Sequence, residues 1–151
     1  MYSNGRFVTA SYDSRDLAEY YAYGSDKSLS YVRSRSGLLT RYLYDGYGRI
    51  SQVYADENGN GVNDTETEHG LRYTYTNGTD RIATLEANHT NTSDWLEYIF
   101  LYDSRGRLSR VGYYAMTETI TQYGYDDRNN LTSTTLGNGY QMRQFYATDT
   151  G

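Results

Sequence analysis

The chain has 151 residues, enough for one domain, with 37% hydrophobic residues and 20 tyrosines, while Leu, Ile, Val and Phe together number only 24. It contains no Cys and carries a formal charge of −5, which rules out disulfides, thiolate chemistry and cysteine metal sites and argues against a nucleic-acid partner. No apolar run is long enough for a helical membrane span, and any core must be built from tyrosine, whose ring buries while its hydroxyl stays hydrated.

Taken in chain order, the sequence is an array. Tyr2–Phe7 and Tyr23–Leu29 are weak copies of a pattern that becomes sharp at Tyr44-Asp45-Gly46-Tyr47-Gly48-Arg49-Ile50. Tyr12-Asp13-Ser14-Arg15-Asp16-Leu17 looks similar but falls out of step. An acidic insertion at 55–70 follows, and Tyr75–Ile82 resumes the pattern with one extra residue. After a polar loop at Asn88–Asp94, the second sharp copy is Tyr102-Asp103-Ser104-Arg105-Gly106-Arg107-Leu108. A third, Tyr125-Asp126-Asp127-Arg128-Asn129-Asn130-Leu131, has Asn where the others have Gly, and Tyr146 opens a copy that the chain end cuts off. Most copies carry an aromatic two positions before the anchor tyrosine, as at Tyr21, Tyr42, Tyr73, Phe100 and Tyr123.

The unit has a local chemistry. Aromatics two apart share one face of a strand. Asp45 then starts a turn by accepting backbone N–H groups, and Gly48, Gly106 and Asn129 stand where that turn needs positive φ. Arg49 and Ile50 begin the returning strand. No stretch holds a 3.6-residue period. The expectation is an all-β protein: consecutive β-hairpins in a twisted, spiralling antiparallel sheet, one array over 1–151 of about six units with incomplete terminal ones.

The Tyr-Asp-x-x-Gly-Arg-Leu/Ile motif at about 21-residue spacing resembles the YD repeats of the Rhs family. The resemblance covers nearly the whole chain, with Tyr44 and Tyr102 opening the close copies. It implies a spiralling antiparallel sheet of the kind that wraps into a hollow shell, in proteins that are secreted or on bacterial cell surfaces, some of them carbohydrate-binding. This chain is too short to close such a shell and lacks the Pro-bearing junction that precedes a toxin, so the sheet is expected to be open or assembled with neighbouring copies or flanking YD repeats.

Three kinds of site can be weighed. Tyrosine ladders in place of an aliphatic core are the plain reading of the repeats, whereas outward tyrosines with Trp95 suit stacking on sugars, making glycans a candidate partner. Arg49 and Arg107 are placed to pair with Asp45 and Asp103. Catalysis finds little support: His69 and His89 fall on different elements, no hydrolase or phosphate-binding motif occurs, and Asp94 with Glu97 beside Trp95 lacks the cleft that a glycosidase requires. Asn77, Asn88, Asn91, Asn130 and Asn63 head N-glycosylation sequons, a pattern expected by accident in a chain rich in Asn and Thr.

The acidic insertion holds the one metal candidate. Asp56, Glu57, Asp64, Glu66 and Glu68 have no Lys or Arg among them, and they account for the whole net charge. Asp56, Asn58, Asn60 and Asp64 fall at loop positions 1, 3, 5 and 9 with Gly61 at 6, and the Val62 carbonyl falls at 7. That order resembles EF-hand-like and thrombospondin type-3 calcium loops, so Ca²⁺ is the candidate ion. Position 12 is Thr67, leaving Glu66 or Glu68 to swing in as the bidentate ligand. Because the sequence starts and stops within hairpin units, two readings of its ends are expected: a segment of a longer YD-repeat protein, or copies joined head to tail in an extracellular fibre.

Overall fold

The computed structural model describes residues 2–3, 7–15, 18–62, 68–88, 95–113 and 117–147. Among them there are strands and turns but no helix. The strands are β1 (Tyr2–Ser3), β2 (Phe7–Val8), β3 (Ala10–Tyr12), β4 (Ala18–Tyr23), β5 (Leu29–Arg33), β6 (Leu39–Tyr44) and β7 (Ile50–Asp56). They continue with β8 (Gly70–Tyr75), β9 (Ile82–Asn88), β10 (Trp95–Tyr102), β11 (Leu108–Tyr113), β12 (Glu118–Tyr125), β13 (Leu131–Leu136) and β14 (Gln141–Arg143). β1 pairs with β2, and the other twelve form one sheet whose strand order follows the chain from β3 to β14 without closing on itself. This is the hairpin array that the tyrosine spacing predicts.

The chain divides into two compact units: Met1–Thr74 with Glu86–Trp95, and Tyr75–Leu85 with Leu96–Gly151. In the first, β3 through β8 pair antiparallel, each with the next. In the second, β10 through β14 do the same. Strand residues are mostly half-buried, and among the described residues only Ala10 and Tyr54 are fully buried hydrophobics. Tyrosine fits such a surface because a half-buried ring still leaves its hydroxyl free to find a partner.

Among the described residues, two repeats show a second turn that the sequence pattern does not announce. The Tyr-Asp turn closes with Asp45 N–H donating to Arg49 C=O (2.8 Å) and Gly48 N–H to Asp45 C=O (3.0 Å). The same pair of bonds closes Ser34–Leu38 and Leu136–Tyr140, half a repeat away. Those turns carry Gly37 and Gly139 at the left-handed position, which was the available cue. In the acidic insertion expected at 55–70, β7 runs on to Asp56 and β8 starts at Gly70, so both of its ends belong to strands.

A bulge accompanies four of the in-step hairpins, whereas the out-of-step Tyr12-Asp13 pairing of β3 with β4 keeps its register. The register shifts beside Tyr23, Tyr44, Tyr102 and Tyr125. The extra residue lies on the returning strand, just after the aliphatic that faces the anchor tyrosine: Ser30, Ser51, Ser109 and Thr132. A bulge interrupts the ladder and leaves backbone groups needing other partners.

Candidate functional site

The Tyr-Asp turns are built by their aspartates. Asp45 Oδ1 accepts the N–H groups of Tyr47 (2.9 Å) and Arg49 (3.0 Å), and its Oδ2 takes Arg49 Nε (2.8 Å) and Nη2 (2.6 Å). Asp103 repeats this with Arg105 and Arg107, whose Nε and Nη2 both lie 2.7 Å from Oδ2. Both ion pairs expected from the sequence are therefore formed. In the third copy Asn130 replaces the arginine and donates its Nδ2 to Asp126 at 2.9 Å. These bonds hold all three carboxyls below the usual range: the Arg49 side chain is the largest cause for Asp45, the Arg107 backbone N–H for Asp103 and the Asn130 side chain for Asp126.

The anchor tyrosines join one repeat to the one before. Tyr44 donates its hydroxyl to Leu29 C=O (2.9 Å), Tyr102 to Ile82 C=O (2.9 Å), Tyr125 to Leu108 C=O (2.8 Å) and Tyr146 to Leu131 C=O (3.1 Å). Every acceptor is the aliphatic that ends the preceding motif; for Leu29, Leu108 and Leu131 it is also the residue just before the bulge. Tyr23 makes the corresponding bond to Val8 C=O (2.9 Å). Arg107 reaches the opposite way, toward the following repeat: its guanidinium lies over the Tyr125 ring, 4.5 Å from the centroid, and Nη1 donates to Asp126 C=O and Asn129 Oδ1, each at 3.0 Å. Thus Tyr, Asp, Arg and the aliphatic form one network linking consecutive hairpins.

The acidic loop is more deeply set than its charge implies. Asp56 and Glu68 are 1% and 0% exposed. Asp56 Oδ2 accepts Arg41 Nε, the partner that sequence reading missed, and Gly61 N–H at 3.1 Å. Burial raises the Asp56 carboxyl, but Arg41's hydrogen bond and charge, with the N–H groups of Gly61 and Gly59, outweigh it and bring it below the ordinary value. Glu68 Oε1 accepts Glu57 N–H (2.8 Å), and the Glu68 carbonyl accepts Asn88 Nδ2 (2.6 Å), while Asn88 Oδ1 takes Gly70 N–H. Asn58 Oδ1 accepts Asn60 N–H (2.9 Å), Asn60 Oδ1 accepts Val62 N–H (2.7 Å), and Tyr54 donates its hydroxyl to Gly61 C=O (2.8 Å). Asp64 and Glu66 lie outside the described residues. Among the described residues, no three of His, Cys, Asp and Glu form a metal cluster.

Trp95 opens β10 half-buried, with the Arg72 guanidinium 3.9 Å from the centre of its ring. Arg72 also faces Glu86 at 3.8 Å. One face of the indole is thereby taken by a cation rather than presented for stacking. His69 borders a cavity of about 230 Å³ with Tyr54, Gly70 and Asn88. His89 and Asp94 lie outside the described residues, so the Asp94–Glu97 pair cannot be placed. Among the described residues, no helix is long and apolar enough to cross a membrane.

Residues 102–141 match the family model of the RHS repeat, in line with the YD-repeat reading of that stretch. No curated protein matches it. Similar solved structures include TcdB2-TccC3-Cdc42 (14% identity, TM-score 0.42) and TcdB2-TccC3 without its hypervariable C-terminal region (14%, 0.43), each covering 79% of this chain and 7% of that one. A Photorhabdus luminescens Tc holotoxin pore with a mutated TccC3 shows 12% identity and a TM-score of 0.31, covering 84% of this chain and 9% of that one. The chain thus spans less than a tenth of the solved chains it resembles.

Proposed function

We propose that this chain is a non-catalytic structural segment, one continuous array of YD repeats forming part of a β-sheet wall in a secreted or surface-exposed bacterial protein. The supporting observation is where the motif residues go. Tyr44, Tyr102 and Tyr125 reach back to the preceding repeat, and Asp45, Asp103 and Asp126 close their own turns. Arg107 ties its turn to the next one. Chemistry that recurs at Tyr44, Tyr102 and Tyr125 and is directed at the neighbouring unit suits a wall extended unit by unit. Flanking YD repeats, or further copies of the chain, are the natural partners of the strands at the two ends of the sheet, because such strands template further pairing.

A glycan array, run beside a glycosidase substrate panel, tests this reading against the carbohydrate-binding one. The full chain is expected to give neither saturable binding nor turnover. Saturable binding that disappears in Trp95→Ala, with the circular dichroism spectrum unchanged, would replace the structural reading with an adhesive one.

A further inference from the structure

The acidic loop holds a feature that the wall does not use. Asp56 is 1% exposed, and although Oδ2 accepts Arg41 and Gly61, Oδ1 is buried with no hydrogen-bond partner among the described residues. A buried carboxylate oxygen without a donor costs free energy unless a cation or a proton satisfies it. The same carboxylate is held in the loop by the Gly61 N–H, and Asp56 is among the residues lining a cavity of about 380 Å³, with Tyr31, Arg33, Arg41, Glu57, Asn58 and Gly59. The loop's own candidate ligands are oxygens, although Arg33 and Arg41 also line the cavity. Asn58 and Asn60 each turn a side-chain carbonyl onto a loop N–H, which keeps both amide oxygens on the loop beside Asp56. Glu68, with no exposure, accepts the N–H groups of Glu57 (2.8 Å) and Asn58 (3.5 Å) and so holds the start of the loop in shape.

We propose that this loop binds a calcium ion through Asp56, Asn58, Asn60 and the Val62 carbonyl, with the buried Asp56 Oδ1 as the anchoring donor. The choice of ion follows from the donors: oxygen only, on a flexible loop, with one carboxylate and several neutral carbonyls. Such a set suits Ca²⁺ better than Mg²⁺, which demands near-ideal octahedral geometry, or Zn²⁺, which prefers nitrogen and sulfur. Few ligand charges place the affinity in the weak range, and the Arg41 guanidinium on Oδ2 weakens it further. Glu68 serves here as a positioning residue, not a ligand.

Terbium is the probe, because Tyr54, bonded to the Gly61 carbonyl, can sensitise its emission. Titrating the full chain with TbCl₃ should give saturable tyrosine-sensitised emission. CaCl₂ should displace it with a midpoint on the order of 0.1–1 mM, and equal MgCl₂ should displace it less. Asp56→Asn removes the anchoring charge and should abolish the signal. Because Asp56 is buried beside Arg41, that variant can misfold. The exposed double substitution Asn58→Ala/Asn60→Ala is therefore measured too, with circular dichroism as the fold control. Loss of emission in a folded double variant supports the site. Absence of saturable emission from the parent chain, or emission equal to the parent's in the folded double variant, overturns it.

Discussion

Replacing Tyr125 by Phe isolates the bond that joins one repeat to the next. The ring stays, and with it the Arg107 guanidinium 4.5 Å from its centre; only the hydroxyl that donates to Leu108 C=O at 2.8 Å is lost. Leu108 precedes the bulge at Ser109, so the ladder does not replace that donor. A net intramolecular hydrogen bond contributes about 0.5–1.5 kcal/mol, and a buried acceptor left unsatisfied costs about 1–3. Tyr125 is half-buried, so water recovers part of the loss and the expected cost is about 1 kcal/mol. For a chain of this size that lowers the melting temperature by about 2–4 °C. Differential scanning calorimetry would measure it, with Tyr44→Phe as the equivalent change at Leu29 C=O. Melting temperatures unchanged in both variants would show that the hydroxyls are ornaments of a ring ladder and that the inter-repeat coupling argued above is wrong.

Stability should fall at both ends of the pH scale. Asp45, Asp103 and Asp126 have lowered carboxyls, so their contribution is complete above about pH 4 and is lost as pH drops through the folded-state values; thermal melts from pH 7 to 2 follow this, and Asp103→Asn should flatten the acid limb. Burial raises the Tyr44 and Tyr125 phenols, so their contribution is complete below about pH 10 and is lost as pH rises through the folded-state values, an alkaline limb readable by phenolate absorbance. Gly48→Ala puts a Cβ on a residue at φ +78° with open space around it, so backbone strain alone should cost about 1 kcal/mol in urea unfolding. Lys27→Gly relieves the same strain at φ +72° and should stabilise by roughly 0.5 kcal/mol after the entropy of glycine is subtracted. Arg41→Ala strands the buried Asp56 carboxylate and should cost about 3 kcal/mol, measured by the same urea titrations.

The Tyr44, Tyr102 and Tyr125 motifs determined the all-β class, the hairpin sequence and the Tyr-Asp turns with their Asp45–Arg49 and Asp103–Arg107 pairs. All of these are local: a turn's aspartate, its left-handed glycine and its arginine lie within five residues, so spacing alone reveals them. The second set of turns was legible only faintly, because Ser34–Leu38 and Leu136–Tyr140 use the same backbone bonds without an aspartate to mark them. What joins the repeats was not local. The Tyr125 hydroxyl meets Leu108 across 17 residues, and the bulges at Ser30, Ser51, Ser109 and Thr132 exist only once two strands are in register. The acidic loop shows the same division. Its order of oxygen donors is written in the sequence, but burial of Asp56 and Glu68, the Arg41 ion pair and the stranded Asp56 Oδ1 follow from strands that pairing brings alongside the loop. Composition reports which groups a chain carries; only tertiary packing decides which of them leave water, and that decides what each one costs or contributes.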